Sequence, residues 1–93
     1  MPRAIVITKR FGQAYRNLPP QQQDLVDTAL RQFQEYLKTG QAPGGLGLRK
    51  LHRRTYEFRV GLSIRVVYVV EGETVYLALL GSHDDVRRFL KRQ

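Results

Sequence analysis

Residues 55–83 read TYEFRVGLSIRVVYVVEGETVYLALLGSH, and their pattern decides the fold. Three strand-like runs are separated by two short turns. In the first run Tyr56, Phe58 and Val60 alternate with Thr55, Glu57 and Arg59. In the second, Ile64, Val66, Tyr68 and Val70 alternate with Arg65, Val67 and Val69. Such period-two alternation marks half-buried strands. Two hairpin registers compete. A two-residue Gly61-Leu62 turn sets Arg59 against Ile64, a polar face against an apolar one. A three-residue loop, 61–63, pairs Arg59 with Arg65 and Phe58 with Val66 and keeps one face wholly apolar. A one-residue slip moves every side chain to the other face, so the three-residue loop is the prediction.

That register makes Arg59 and Arg65 cross-strand neighbours on the face opposite the core. Like charges directly opposed cost a few tenths to about 1 kcal/mol, so a chain that keeps the pair fits an anion-binding face. The competing reading is that Glu57, with Asp84 or Asp85, neutralises the arginines. After the Glu71-Gly72-Glu73 turn, residues 74–80 (TVYLALL) are almost all apolar and predict a central strand. Gly81-Ser82 breaks it. Ser82 and Asp85 have the spacing of a capping-box variant, opening a last helix with Val86, Phe89 and Leu90 on its apolar side. His83 stands where strand gives way to helix.

Toward the N-terminus, residues 3–8 (RAIVIT) form a β-branched run that barely alternates, predicting a strand buried on both faces. Thr8 can cap a helix whose stripe is Phe11, Ala14, Tyr15 and Leu18. Pro19-Pro20 ends it and starts the next at its first turn. Val26, Ala29, Leu30, Phe33 and Leu37 keep helical spacing, and Gly40 is a C-terminal stop. The two helices form a hairpin of core-packing elements without chemistry of their own. Residues 41–47 (QAPGGLG) form a loop; a glycine-rich phosphate cradle needs a preceding strand and a following Lys-Ser/Thr, and has neither here. Residues 48–54 (LRKLHRR) are the densest basic cluster, containing Arg49, Lys50, His52, Arg53 and Arg54.

Ninety-three residues predict one domain, 1–93, able to bury roughly 60–65% of its unfolded surface around a single core. The fold class is α+β: a helical hairpin on a mainly antiparallel four-stranded sheet, in the order β-α-α-β-β-β-α. The chain has no cysteine, so disulfides and thiolate metal sites are excluded. Its longest early apolar run is four residues, too short for a secretory or membrane segment, and a soluble cytoplasmic protein without a membrane partner is expected. The net charge is +8, from 16 Lys+Arg and 8 Asp+Glu, and residues 46–65 hold six of those bases against one acid. A positive field concentrated this way attracts phosphate polymers, acidic proteins or anionic membrane.

The element order, the pattern Y-x-F-R-V-G…R-V-V-Y and the closing G-S-H-D-D resemble the RelE/ParE superfamily of type II toxins over nearly the whole chain, most specifically from Leu51 to Phe89. The resemblance implies a cognate antitoxin and one of two targets. RelE-like members, including YoeB- and YafQ-like ones, enter the ribosomal A site and cut mRNA; ParE-like members inhibit DNA gyrase and cut nothing. It places Arg65 on the strand whose arginine contacts the scissile phosphate, Arg59 at a second basic position one strand back, and His83 where members carry arginine or histidine. Two positions depart from the pattern: Glu57 stands where RelE has a lysine, and Phe89 where RelE has a tyrosine, although a YafQ-like arrangement also has phenylalanine. The arginines are shared with ParE-like chains, so His83 discriminates better.

Metal-free RNA cleavage needs a group to take the 2′-OH proton, another to protonate the departing 5′-oxygen, and cations to stabilise the phosphorane. Positioned acid–base groups supply typically about 10²–10⁴-fold, and fixed positive donors often more. Arg59 and Arg65 suit the last role because a guanidinium fork matches phosphate and keeps its charge. His83 could be acid or base, since imidazole is the side chain that ordinarily titrates near neutrality. Glu57, on the predicted face of Arg59, is a candidate base and His52 a weaker candidate. Arg49, Lys50, His52, Arg53, Arg54 and Phe89 are the candidate RNA-binding residues. Two histidines without a carboxylate cluster do not make a metal site, and no cofactor is expected.

Overall fold

A computed structural model of the chain describes residues 4–41 and 46–92. The elements run β1 (Ala4–Ile7), α1 (Lys9–Arg16), α2 (Pro20–Thr39), β2 (Arg49–His52), β3 (Thr55–Val60), β4 (Ile64–Glu71), β5 (Thr74–Gly81) and α3 (His83–Lys91). The sheet has five strands in the order β1-β5-β4-β3-β2. β1 runs parallel to β5, and every other pair is antiparallel. The hairpin register is the three-residue one: Val60 faces Ile64, Arg59 faces Arg65 and Phe58 faces Val66. Gly61 supplies the positive φ of 63° that the loop requires.

Two expectations are corrected. The sheet has a fifth strand, β2, inside the segment read only as a basic cluster. Its sequence, RKLH, has one apolar residue, and three of its four positions are exposed. An edge strand carrying charge satisfies its backbone on one side and discourages further pairing on the other, which erases the apolar alternation that would mark it. β1 was expected to be buried on both faces and is instead the opposite edge, with Val6 and Ile7 40% and 61% exposed. Its β-branched run reflects strand propensity rather than burial. Of the loop expected over 41–47, residues 42–45 lie outside the described residues, as does Arg3 of the first predicted strand.

The helical hairpin covers one face of the sheet. Thr8 caps α1 by accepting from the Phe11 N–H, α2 starts with Pro20 at its first position, and Gly40 closes it in the left-handed region (φ 77°). Tyr15 ties the helices together: its hydroxyl donates to the Asp27 carboxylate at 2.7 Å, and its carbonyl accepts from Gln23 Nε2. That carboxylate holds the Tyr15 phenol above its ordinary value. Phe33 of α2 is fully buried and stacks on Phe58 (centroids 4.9 Å) and against Tyr68 (4.6 Å), so the core is centred where the helix crosses β3 and β4.

The other face is not uniformly polar. Val67 and Leu79 are buried there beneath Val86 of α3, with Leu51, Phe89 and Leu90 around them. A bulge makes this possible. Val67 faces Leu79 and Tyr68 faces Leu77, leaving Ala78 as the extra residue. Beyond it the alternation of β5 changes phase, so Leu80 joins the main core and Gly81 faces Arg65. At the start of α3 the capping box is complete, with Ser82 Oγ accepting from the Asp85 N–H and Asp85 Oδ2 from the Ser82 N–H. A Cβ on Gly81 would lie 2.5 Å from Asp85 Oδ2 and 2.8 Å from its Cβ, so this turn accepts only glycine without moving the helix.

Two predictions follow from this packing. Phe33→Ala should cost about 3–5 kcal/mol in urea unfolding, because it empties the centre of the aromatic cluster. The Ser82 N–H donating to Asp85, helped by the Ser82 hydroxyl and Arg88, holds that carboxyl below the usual carboxylate range. A depressed folded pKa stabilises above the unfolded value and stops doing so as pH falls through the folded one. The melting-temperature gap between wild type and Asp85→Asn should therefore be open at about pH 7 and narrow at about pH 3.

Candidate functional site

The face left uncovered beyond α3 carries the candidate residues in two rows across the sheet. One row runs Arg59, Arg65, Gly81, the other Arg49, Glu57, Val67, Leu79. His83 stands two residues past Gly81, in the first turn of α3. Together Arg49, Glu57, Arg59, Arg65 and His83, with Gly47 and Leu48 at the rim, line one open depression of about 390 Å³. The bulge is what brings His83 here, because it sets the face on which β5 ends.

Glu57 organises the charges. Its side chain is 3% exposed, and its Oε2 accepts from Arg65 Nη1 at 3.1 Å and pairs with Arg49 Nη2 at 3.2 Å. Glu57 and Arg65 are diagonal neighbours across β3 and β4, within reach of long side chains. Arg65 thus leans toward the carboxylate, easing the repulsion that the Arg59–Arg65 pairing would otherwise impose. Glu57 Oε1 is buried without a hydrogen-bond partner among the described residues. Asp85 is occupied by Ser82 and Arg88. Asp84 forms no ion pair among the described residues, so Glu57 alone of the proposed neutralising groups meets an arginine of this site.

Arg59 is held differently. It is exposed, and among the described residues it forms no ion pair. Its backbone N–H donates to the carbonyl of the fully buried Leu46 at 2.9 Å, which holds Leu46 beside the end of β3. Gly47 has φ 64°, and a Cβ there would lie 2.9 Å from Arg59 Nε. The guanidinium therefore lies against bare backbone. Sequence reasoning did not identify Leu46 or Gly47 as parts of the site; a glycine just before a basic run was the only available signal.

The remaining candidates lie elsewhere. Lys50, His52, Arg53 and Arg54 are exposed on β2 and the β2–β3 turn and do not line the depression. Lys50 follows Arg49 on a strand and so points to the opposite face. Phe89 packs with the small cluster under α3, where the Arg10 guanidinium lies 5.8 Å from its ring centroid. It lines a second depression, of about 290 Å³, with Arg10, Arg88 and Arg92. Among the described residues no three His, Asp or Glu side chains converge as metal ligands, and no helix is long and apolar enough to cross a membrane.

Chemically, the site is a concavity with three guanidiniums, one buried carboxylate and an imidazole at its edge. It can hold an oxyanion and offers groups able to move protons. No family model matches the chain, and no curated protein matches its sequence. Solved structures do match its fold. The RelB–RelE antitoxin–toxin complex from Methanococcus jannaschii aligns with TM-score 0.68 at 15% identity, covering 90% of this chain and 96% of the matched one. The DinJ–YafQ toxin–antitoxin complex of E. coli aligns with TM-score 0.71 at 11% identity, covering 92% and 98%. The YoeB dimer from Staphylococcus aureus aligns with TM-score 0.69 at 17% identity, covering 89% and 99%. The chain has the α+β fold of the RelE, YafQ and YoeB toxins.

Gly47→Ala should destabilise the protein by about 1–2 kcal/mol, the cost of a Cβ in the left-handed region, and should displace the Arg59 guanidinium. Thermal or urea unfolding measures the first effect. An unchanged midpoint would show that the loop has no need of glycine here.

Proposed function

We propose that this protein is the toxin of a type II toxin–antitoxin pair, acting as a ribosome-dependent, metal-free endoribonuclease that cleaves mRNA in the A site. The observation that carries this reading is the convergence of Arg59, Arg65, Glu57 and His83 on one depression of the sheet, in a fold shared with RelE, YafQ and YoeB toxins. Arg59 and the outer side of Arg65 are the donors for the scissile phosphate. His83, exposed at the rim, is placed to exchange a proton with a leaving or attacking oxygen. Glu57 is almost wholly buried, with Oε2 held between Arg49 and Arg65. The partner is a cognate antitoxin of acidic or amphipathic character, suited to a basic surface.

The test is cleavage of a defined mRNA on programmed ribosomes by wild type, Arg65→Ala and His83→Ala, each checked for folding by its unfolding midpoint. Wild type should cut within the A-site codon, and each variant should lose at least about a hundredfold in rate. If a folded wild type arrests growth without cutting, the reading fails in favour of a ParE-like inhibitor of DNA gyrase, which a supercoiling assay would detect.

A further inference from the structure

Three arginines surround the depression, yet they are not equivalent. Arg49 and Arg65 share a single oxygen of Glu57, and Arg59 has no carboxylate partner among the described residues. Glu57 is almost wholly enclosed, whereas the Arg49 side chain is 63% exposed. Breaking a buried pair by removing one partner leaves an uncompensated charge in poor contact with water. The two paired guanidiniums therefore cannot simply turn to a ligand: a phosphate that recruits them must first compete with a carboxylate already in place. Arg59 has no such cost.

We propose that Glu57 is an internal counter-ion that occupies Arg49 and Arg65, sets the affinity of this face for phosphate low, and leaves Arg59 as its main electrostatic anchor for RNA. This rests on the reading of the depression as an RNA-binding face and adds a restraint on how tightly that face binds. Glu57 acts through the arginines, as a positioning residue. The carboxylate selects against bulk single-stranded RNA, which offers little beyond its phosphates. A target that supplies further contacts can meet the cost of separating the ion pairs. Both cations meet Oε2, while Oε1 is buried without a hydrogen-bond partner among the described residues, so the carboxylate serves its two arginines and presents no oxygen to a ligand.

The experiment measures binding of a fluorescein-labelled single-stranded RNA oligonucleotide by anisotropy across a salt series, without ribosomes. The proteins are wild type, Glu57→Gln, Arg49→Ala, Arg59→Ala and the double variant Glu57→Gln/Arg49→Ala. Glu57→Gln keeps the shape and removes the charge. It should bind roughly three- to tenfold tighter at low salt, and its slope of log affinity against log salt should steepen by about 0.7 for each arginine released. A merely structural role would not steepen that slope. Arg59→Ala should cost more affinity than Arg49→Ala in the wild-type background, and Arg49→Ala should cost more once Glu57 is glutamine.

Equal or weaker binding by Glu57→Gln, at an unchanged slope, overturns the proposal. If Glu57→Gln does not fold, the comparison of Arg49→Ala with Arg59→Ala still decides, since equal losses overturn it. Failure of all the proteins to bind RNA overturns it as well. Tighter, more salt-sensitive binding by Glu57→Gln, beside a wild type that does not cleave mRNA on ribosomes, would uphold this inference while the ribonuclease reading fails.

Discussion

The register of the β3–β4 hairpin is the constraint on which the rest of this structure depends. Gly61 turns the chain at positive φ, Val60 meets Ile64, and the two strands thereby agree on which face is apolar. Phe58 and Tyr68 then lie under Phe33, which fixes where α2 crosses the sheet. The same register places Glu57, Arg59 and Arg65 together on the other face. Core and site are alternate residues of the same strands, so neither can shift by one position without destroying both.

A second device separates the open face into a covered and an uncovered part. The bulge at Ala78 reverses the phase of β5, bringing Leu79 beneath α3 and Gly81 opposite Arg65. Gly81 also lets the Asp85 cap close against the backbone, and the tight turn delivers His83 to the edge of the depression. A short helix can sit so close because its first turn is satisfied by its own side chains. Bulges of this kind re-aim strand ends beside functional surfaces.

Electrostatically, the face is less positive than a count of its arginines suggests. The opposition of Arg59 and Arg65 is relieved by a diagonal carboxylate, so the two cations differ: one is paired and mostly enclosed, the other exposed against glycine backbone. The buried carboxylate at residue 57 is thus the group that sets these arginines apart from one another.

Much of this was determined by the sequence alone. Alternation, glycine turns and caps specify the helical hairpin, the β3–β4 register, the capping box of α3 and the shared face of Glu57, Arg59 and Arg65, because each depends on spacing within a few residues. Tertiary structure decided the rest. Whether 49–52 is a strand depends on finding β3 as a neighbour, since its own side chains carry no apolar alternation. Whether β1 is central or an edge depends on what lies beside it. The phase change at Ala78 comes from fitting Leu79 under α3, and an apolar run such as TVYLALL conceals it. Most consequentially, the sequence placed Glu57 beside the arginines but not in their grip. Which guanidinium a buried carboxylate takes depends on distances of a few ångströms across three strands, and those exist only once the sheet has formed.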